Sequence, residues 1–515
     1  MGVAFFVLET TDLFDRGGSY SYLTEELRAN SFYRKVIQVR LMRQVIRGGN
    51  KLLTTLNSGF QFLIGLGGAA LTSIFIIVIS LIIGVKLSKS LEGGLRIGIA
   101  LAGMSAIISL LTNEFGPSLK AFSQRTGSAL DIVDLGWAQM AVITWGSIYT
   151  MGFAVICVLI NLFMLFFKKT NTMNVDLFNV WHLSIIGMLV LYYTNNNFLI
   201  AVLFVGVIYI MMLINADLMK PKLNELLSYS DTTVTATAHP SFLLNPLVMF
   251  LNTIIDKLFP FIDRFDFNAQ QLNKKVGFWG SSFAVGIYLG VFIGVLGQES
   301  VAKIVSMAFI GAVCLELFGV IGGWFGPAME PISDGIIDRM HKRNSRKLNV
   351  GVDWSIVAVR PEIWAVANII APILMVVAIF LPGNRTLPLG GIIMTALVPS
   401  LLFVTGGKVI RMSIMGAILT PLYLWASTAI ADFMTSTSVQ LDVFPKGLSK
   451  NSLFTSIEAI PMEKIMTVLF GETYKNPNIK GVFVLVALIV VYFGLFYWYR
   501  KKMQKENLTR KELEK

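Results

Sequence analysis

Cysteine is almost absent: Cys157 and Cys314 are the two thiols in 515 residues. Both lie inside long apolar runs, which argues against a disulfide framework and against a cysteine-based zinc or haem motif. Charge is scarce as well, at 14% of residues, where ordinary soluble domains run nearer about 25%. Phosphate-cradling glycine loops, nucleophile elbows and metal-spaced His/Cys clusters are all missing. Glycine itself is plentiful, but "GLGGAA" (Gly65 to Ala70) reads as close helix packing rather than a nucleotide site. The longest stretch between apolar runs is about 60 residues, near the lower limit for independent folding. A soluble catalytic domain is therefore not expected.

What is present is apolar sequence, 55% hydrophobic with a mean hydropathy of +0.68. It comes in blocks of about 18 to 25 residues, the length that crosses a bilayer as helix. The blocks lie near 60–85, 94–112, 140–167, 180–194, 198–216, 278–297, 302–325, 363–381, 387–405, 409–431 and 480–499. They are continuous rather than alternating, which favours helices over a barrel. The expectation is an all-α integral membrane protein with about eleven transmembrane helices. The net charge of +12 concentrates beside these blocks, as at Lys168, Lys169, Lys220, Lys222 and Arg500 to Lys502. Such placement marks a cytoplasmic face rather than a nucleic-acid surface. Cations follow every odd-numbered block, so the carboxyl terminus is expected inside and the amino terminus outside.

Residues 1–51 break that pattern, with eight Lys/Arg on the outer side. One reading is that residues 1–53 are not translated. "RGGNKLL" (Arg47 to Leu53) can be encoded by a ribosome-binding sequence followed by a TTG start at Leu52 or Leu53. The other is a disordered or amphipathic extension. Residues 54–505 form the expected membrane domain and 506–515 a cytoplasmic tail. Two longer connections stand out. "FLLNPLVMFLNTIIDKLFPF" (Phe242 to Phe261) reads as a re-entrant or surface-lying hairpin, and residues 432–478 read as a mixed-charge outer loop.

Polar groups are costly within a bilayer, so those near apolar blocks carry information. "DIVDLGWAQM" (Asp131 to Met140) offers Asp134, Trp137 and Gln139. "NVDLFNVWH" (Asn174 to His182) offers Asn174, with Asp176, Asn179 and His182 at i, i+3 and i+6 on one helical stripe. His239-Pro240 begins the hairpin candidate, and Asn384 lies in the turn "LPGNRTLPLG" (Leu381 to Gly390). Each also has a plain structural reading as a cap, a turn or an interfacial side chain. Taken together, amides, acids and aromatics suit a hydroxyl-rich solute. Each unpaired buried polar group costs about 1–3 kcal/mol, and the C–H face of a sugar or polyol packs on indole.

These motifs resemble a known family. "GLRIGIALAG", "GPSLKAF", "DIVDLGW", "TWGS", "NVDLFNVWH", "PISDGI" and "PGNRTLPLG" are similar, in order and spacing, to the galactitol-type IIC membrane subunits of the bacterial sugar phosphotransferase system. The resemblance covers about residues 54–505. It implies import of a polyol or sugar, which a separate IIB protein carrying a phosphocysteine then phosphorylates, with a separate IIA upstream. It also implies a homodimer with an elevator motion, as in the related ascorbate-type IIC subunits. No cofactor, no metal and no catalytic residue of the chain's own are expected. Asp134, Trp137, Gln139, Asn174, Asp176, Asn179, His182, His239 and Asn384 form the expected solute or gating set. Two departures from the family pattern are Gly280-Ser281-Ser282 where Gly-Glu-Pro is expected, and Gly391 where an aspartate is expected. The alternative is an ion-coupled secondary transporter using Glu316 and Asp134.

Overall fold

A computed structural model of the chain describes residues 68–126, 130–176, 179–228, 235–264, 277–324, 348–445 and 452–513, with Ala328 and Leu448 besides. The amino-terminal extension, the "PISDGI" motif and the cations between Arg339 and Lys347 lie outside the described residues. Among those described, eight helices are long and apolar enough to cross a membrane.

Helices α1 (Gly68–Ile83) and α2 (Leu87–Thr126) pack on each other. Then comes a unit of β1 (Ile132–Asp134), α3 (Gly136–Trp145), α4 (Ile148–Phe166), β2 (Thr172–Asn174), α5 (Val180–Tyr193), α6 (Phe198–Leu226), β3 (Thr235–Thr237) and α7 (Asn245–Leu258). The hairpin of α8 (Ser282–Gly297) and α9 (Val301–Gly322) follows and packs on α2. The same order of elements then returns: β4 (Asn349–Val352), α10 (Ser355–Ala358), α11 (Pro361–Phe380), β5 (Thr386–Leu387), α12 (Val398–Thr405), α13 (Val409–Gln440), β6 (Leu453–Thr455) and α14 (Pro461–Lys475). Helix α15 (Ile479–Leu513) closes the chain.

The six strands are an addition to the expected all-α fold. They form two small parallel sheets, ordered β5-β1-β6 and β2-β4-β3. In the first, Ile132 lies opposite Thr386 and Leu453. In the second, Val350 lies opposite Met173 and Thr235. Each central strand thus comes from one unit and both flanking strands from the other, so the two repeats interlock. Strands of two to four residues are too short to show alternation in sequence, which is why they read as loops.

Several apolar blocks are not single spans. The block at 140–167 breaks at Gly146 and restarts where Ser147 caps α4 by accepting from the Tyr149 N–H. The block at 387–405 is β5, an irregular stretch and an eight-residue helix, about 12 Å long against a core of about 30 Å. Helix α5, with 14 residues, spans about 21 Å and is buried along nearly its whole length. Short apolar helices of this kind are filled in by protein rather than by lipid. The hairpin candidate is a 3₁₀ turn, Pro240–Leu244, running into α7, and 240–258 is one of the eight long apolar segments. The expected outer loop at 432–478 instead holds the end of α13, then β6 and α14, with Glu458, Glu463 and Lys464 buried. Glu458 pairs with Lys464 and Glu463 accepts from the Tyr492 hydroxyl, so polarity there did not mean exposure.

Three apolar cores form among the described residues, and two of them draw on both units. One gathers Trp181, Ile185 and Leu189 of α5 with Leu213 of α6. The other gathers Val248 of α7, Ile363 and Ile370 of α11, Leu401 of α12 and Met412 of α13. Helix α15 leaves Ile479, Phe483 and Val490 exposed, an apolar face suited to lipid.

Candidate functional site

The chemistry gathers just beyond the carboxyl ends of the strands. After β2, Asp176 and Asn179 are buried. The Asn179 Nδ2 donates to Asp176 Oδ2 at 2.6 Å and to Asp353 Oδ1 at 2.8 Å, the latter directly after β4. Asn174 ends β2; its Oδ1 accepts from the Asp176 N–H and its Nδ2 donates to the Tyr209 hydroxyl. After β3, His239 places Nε2 3.8 Å from Asp353 Oδ1. Its Nδ1 accepts from the Ser241 N–H at 3.2 Å, so the neutral ring carries its proton on Nε2. Burial, helped by His182, holds His239 well below the ordinary histidine range. Burial, helped by the Asp353 charge, pushes the Asp176 carboxyl up.

His182 joins the two sheets. Its Nε2 lies 3.1 Å from Glu458 Oε2, beyond β6, and its Nδ1 lies 3.2 Å from the Asn179 carbonyl oxygen. Glu458 is paired on its other oxygen with buried Lys464. A row of rings borders this polar group. Trp137, after β1, stacks on Trp181 with centroids 6.3 Å apart. Trp181 stacks on His182 at 3.6 Å, His182 meets His239 edge-on at 4.8 Å, and His239 meets Trp354. The Trp181 indole N–H is buried and has no hydrogen-bond partner among the described residues. Aromatic faces, carboxylates, an amide and an unspent donor are the groups that would hold a hydroxyl-rich guest.

Of the residues expected from sequence, Trp137, Asn174, Asp176, Asn179, His182 and His239 come together here. The structure places three elsewhere. Asp134 accepts the N–H groups of Gly136, Gly391 and Ile457, at 2.9, 2.6 and 2.8 Å. It thereby ties β1 to the chain leaving β5 and β6. Asn384 braces the turn before β5, donating to the Ala378 and Thr386 carbonyls and accepting from the Thr386 N–H and Thr428 hydroxyl. Gln139 donates to the Val443 carbonyl. Glu316, the coupling candidate of the alternative reading, is exposed on α9.

Asp134→Ala would leave three buried N–H donors without an acceptor, at about 1–3 kcal/mol for each one left unpaired. We expect this variant to lose thermal stability in detergent together with uptake. Full stability with uptake alone lost would instead place Asp134 at the solute. Burial pushes the Asp134 carboxyl up to about 6 despite its N–H donors. The folded form therefore holds a proton that the unfolded chain releases near about 4. Its contribution to stability weakens as pH rises between those values and is level above.

Sequence reasoning missed Asp353, Trp354, Glu458 and Lys464. A signal existed for the first two: "VGVDW" (Val350 to Trp354) repeats the strand–Asp–Trp order of "IVDLGW" (Ile132 to Trp137). Glu458 likewise stands shortly after its strand and before Pro461, as His239 stands before Pro240.

Residues 62–447 match the family model described as the sugar-specific permease component of the phosphotransferase system, EIIC-GAT. The chain is 25% identical over 456 residues to the galactitol-specific EIIC component of Escherichia coli (strain K12), covering 86% of this chain and 96% of that protein. It is 26% identical over 454 residues to another permease IIC component of the same strain, covering 87% of this chain and all of that protein. With more than half its length matched, the chain belongs to the family of sugar-specific IIC permease subunits of the phosphotransferase system.

Proposed function

We propose that this permease imports galactitol or a closely related polyol or sugar and presents it, in an inward-facing state, to a separate IIB protein for phosphorylation. The observation that carries this reading is the ring-bordered polar cluster: Trp137, Trp181, His182, His239 and Trp354 around Asn179, Asp176 and Asp353. Neutral polyols need many donors and acceptors at once and an apolar face for C–H groups, and this set supplies both. Galactitol is the first candidate because a relative similar over almost its full length is named for it. IIB and IIA act as separate chains. We further propose a homodimer with an elevator motion, with the carboxyl terminus in the cytoplasm. The cations Arg500, Lys501 and Lys502, after the apolar part of α15, support that orientation.

The test is uptake of radiolabelled galactitol and a panel of polyols and sugars, in cells that lack their own permeases and carry this chain with or without matching IIA and IIB. The expected result is intracellular solute phosphate that disappears when IIB is omitted. Accumulation of unmodified solute without IIB, driven by a proton or sodium gradient, would replace this reading with ion-coupled transport.

A further inference from the structure

The interlocked repeats put an aspartate at the end of each central strand, and the two are used differently. Asp134, ending β1, is fully buried and accepts backbone N–H groups from three chain segments. Asp353, directly after β4, is held by a side-chain amide and its neighbour's backbone N–H instead. Its Oδ1 accepts from Asn179 Nδ2 at 2.8 Å and from the Trp354 N–H at 2.7 Å, with His239 Nε2 at 3.8 Å. Its side chain is 15% exposed and that of Glu458 2%, while Asp176 is buried. Glu458 is engaged by Lys464 and His182. Asp176 shares the Asn179 amide with Asp353, and burial favours its protonated form. Asp353 is thus the most open acid in the cluster, with the Asn179 amide and the His239 ring beside it.

We propose that Asp353 is the general base of the phosphorylation step. As the solute hydroxyl oxygen attacks the phosphorus of the partner's phosphocysteine, the O–H proton passes to the Asp353 carboxylate. The new O–P bond forms while the S–P bond breaks, and the pair of electrons leaves on the cysteine sulfur. The proton returns to water after the phosphorylated solute departs. Asn179 is a positioning residue: its Nδ2–H, at 2.8 Å, fixes which way the carboxylate points, with His239 Nε2 beside it at 3.8 Å. This inference rests on the polyol-phosphorylation reading above, and it gives the chain a reacting group that its sequence did not suggest.

The experiment uses the full chain in proteoliposomes with phosphorylated IIB. Equilibrium binding of tritiated galactitol is measured beside formation of galactitol phosphate. Asp353→Asn keeps the shape and can still meet Asn179, so binding should weaken far less than phosphate formation. General-base catalysis typically contributes about 10²- to 10⁴-fold, so phosphate formation should fall by at least about a hundredfold. Asp353→Glu should recover part of the rate and alter its dependence on pH. If the asparagine variant does not fold, the glutamate variant carries the test through that altered pH–rate profile, read at saturating solute. Phosphorylation by Asp353→Asn at the wild-type rate would overturn the proposal, as would equal losses of binding and phosphorylation, or an unaltered profile in Asp353→Glu. If the wild-type chain binds no polyol or sugar of the panel, the transport reading fails instead, and the two failures are distinguishable.

Discussion

Lys464→Met is expected to be among the most damaging single substitutions in this protein. Lys464 is 1% exposed and its ammonium pairs with Glu458, which is itself 3% exposed. Two charges out of water are tolerated because each answers the other. Removing one leaves the other buried, at a cost of about 3–5 kcal/mol. Met matches the aliphatic stem, so the loss is chiefly electrostatic. Glu458 also faces His182 at 3.1 Å, so its disturbance reaches the ring row of the site. We expect a lowered melting temperature in detergent and lost uptake. The double variant Glu458→Gln/Lys464→Met should regain more than half of the stability, because the Glu458 carboxylate is no longer buried without its cation. It should not regain uptake, since His182 has then lost its carboxylate. A double variant as unstable as the single one would mean that the lysine stem, not the charge, matters.

How much of this was legible in the sequence depends on the length of each signal. Long apolar runs such as 198–216 and 409–431 announced α6 and α13 directly, because a bilayer-length block of apolar residues has few other uses. The stripe Asp176, Asn179, His182 was visible because charge and amide beside an apolar run are costly. It lies at the site, although with Asp176 and Asn179 before α5 and His182 within it rather than as one helical face. The half-length helices were not read from the sequence: α12 is apolar enough to join its neighbours into one apparent span, although Pro399 at its start and left-handed Gly406 after its end delimit its eight residues. The second-unit partners were hidden for another reason. Asp353, Glu458 and Lys464 sit in polar stretches that resemble solvated loops. They become site residues through two- to four-residue strands whose pairing partners lie in the opposite repeat. Pairing between such distant segments leaves no local pattern. Asp134 illustrates the converse. Its motif singled it out, yet motif strength could not distinguish a carboxylate that meets a guest from one that ties three backbone segments together.

Gly391→Asp is the second variant with a large expected effect, and it restores the residue that the family pattern led us to expect. The Gly391 N–H donates to Asp134 Oδ2 at 2.6 Å. A Cβ on Gly391 would lie 2.7 Å from both the Ile457 carbonyl oxygen and its Cβ, and 3.1 Å from Asp134 Oδ2. The obstacle includes backbone, so the segments that follow β5 and β6 would have to move apart beside Asp134. Gly391→Ala alone should cost about 1–3 kcal/mol through overpacking. Aspartate adds a second carboxylate against the first in a buried pocket, and two acids so placed cannot both ionise. We therefore expect Gly391→Asp to yield far less folded protein than Gly391→Ala, measured as monodisperse material extracted from membranes. Gly391→Asp/Asp134→Asn should recover the electrostatic part of that loss and leave the steric part. A Gly391→Asp chain that folds and transports with a changed choice of polyol would mean that β5 can yield. Gly391 would then be a place where this permease gave up an acid facing the solute, rather than one where backbone packing forbids it.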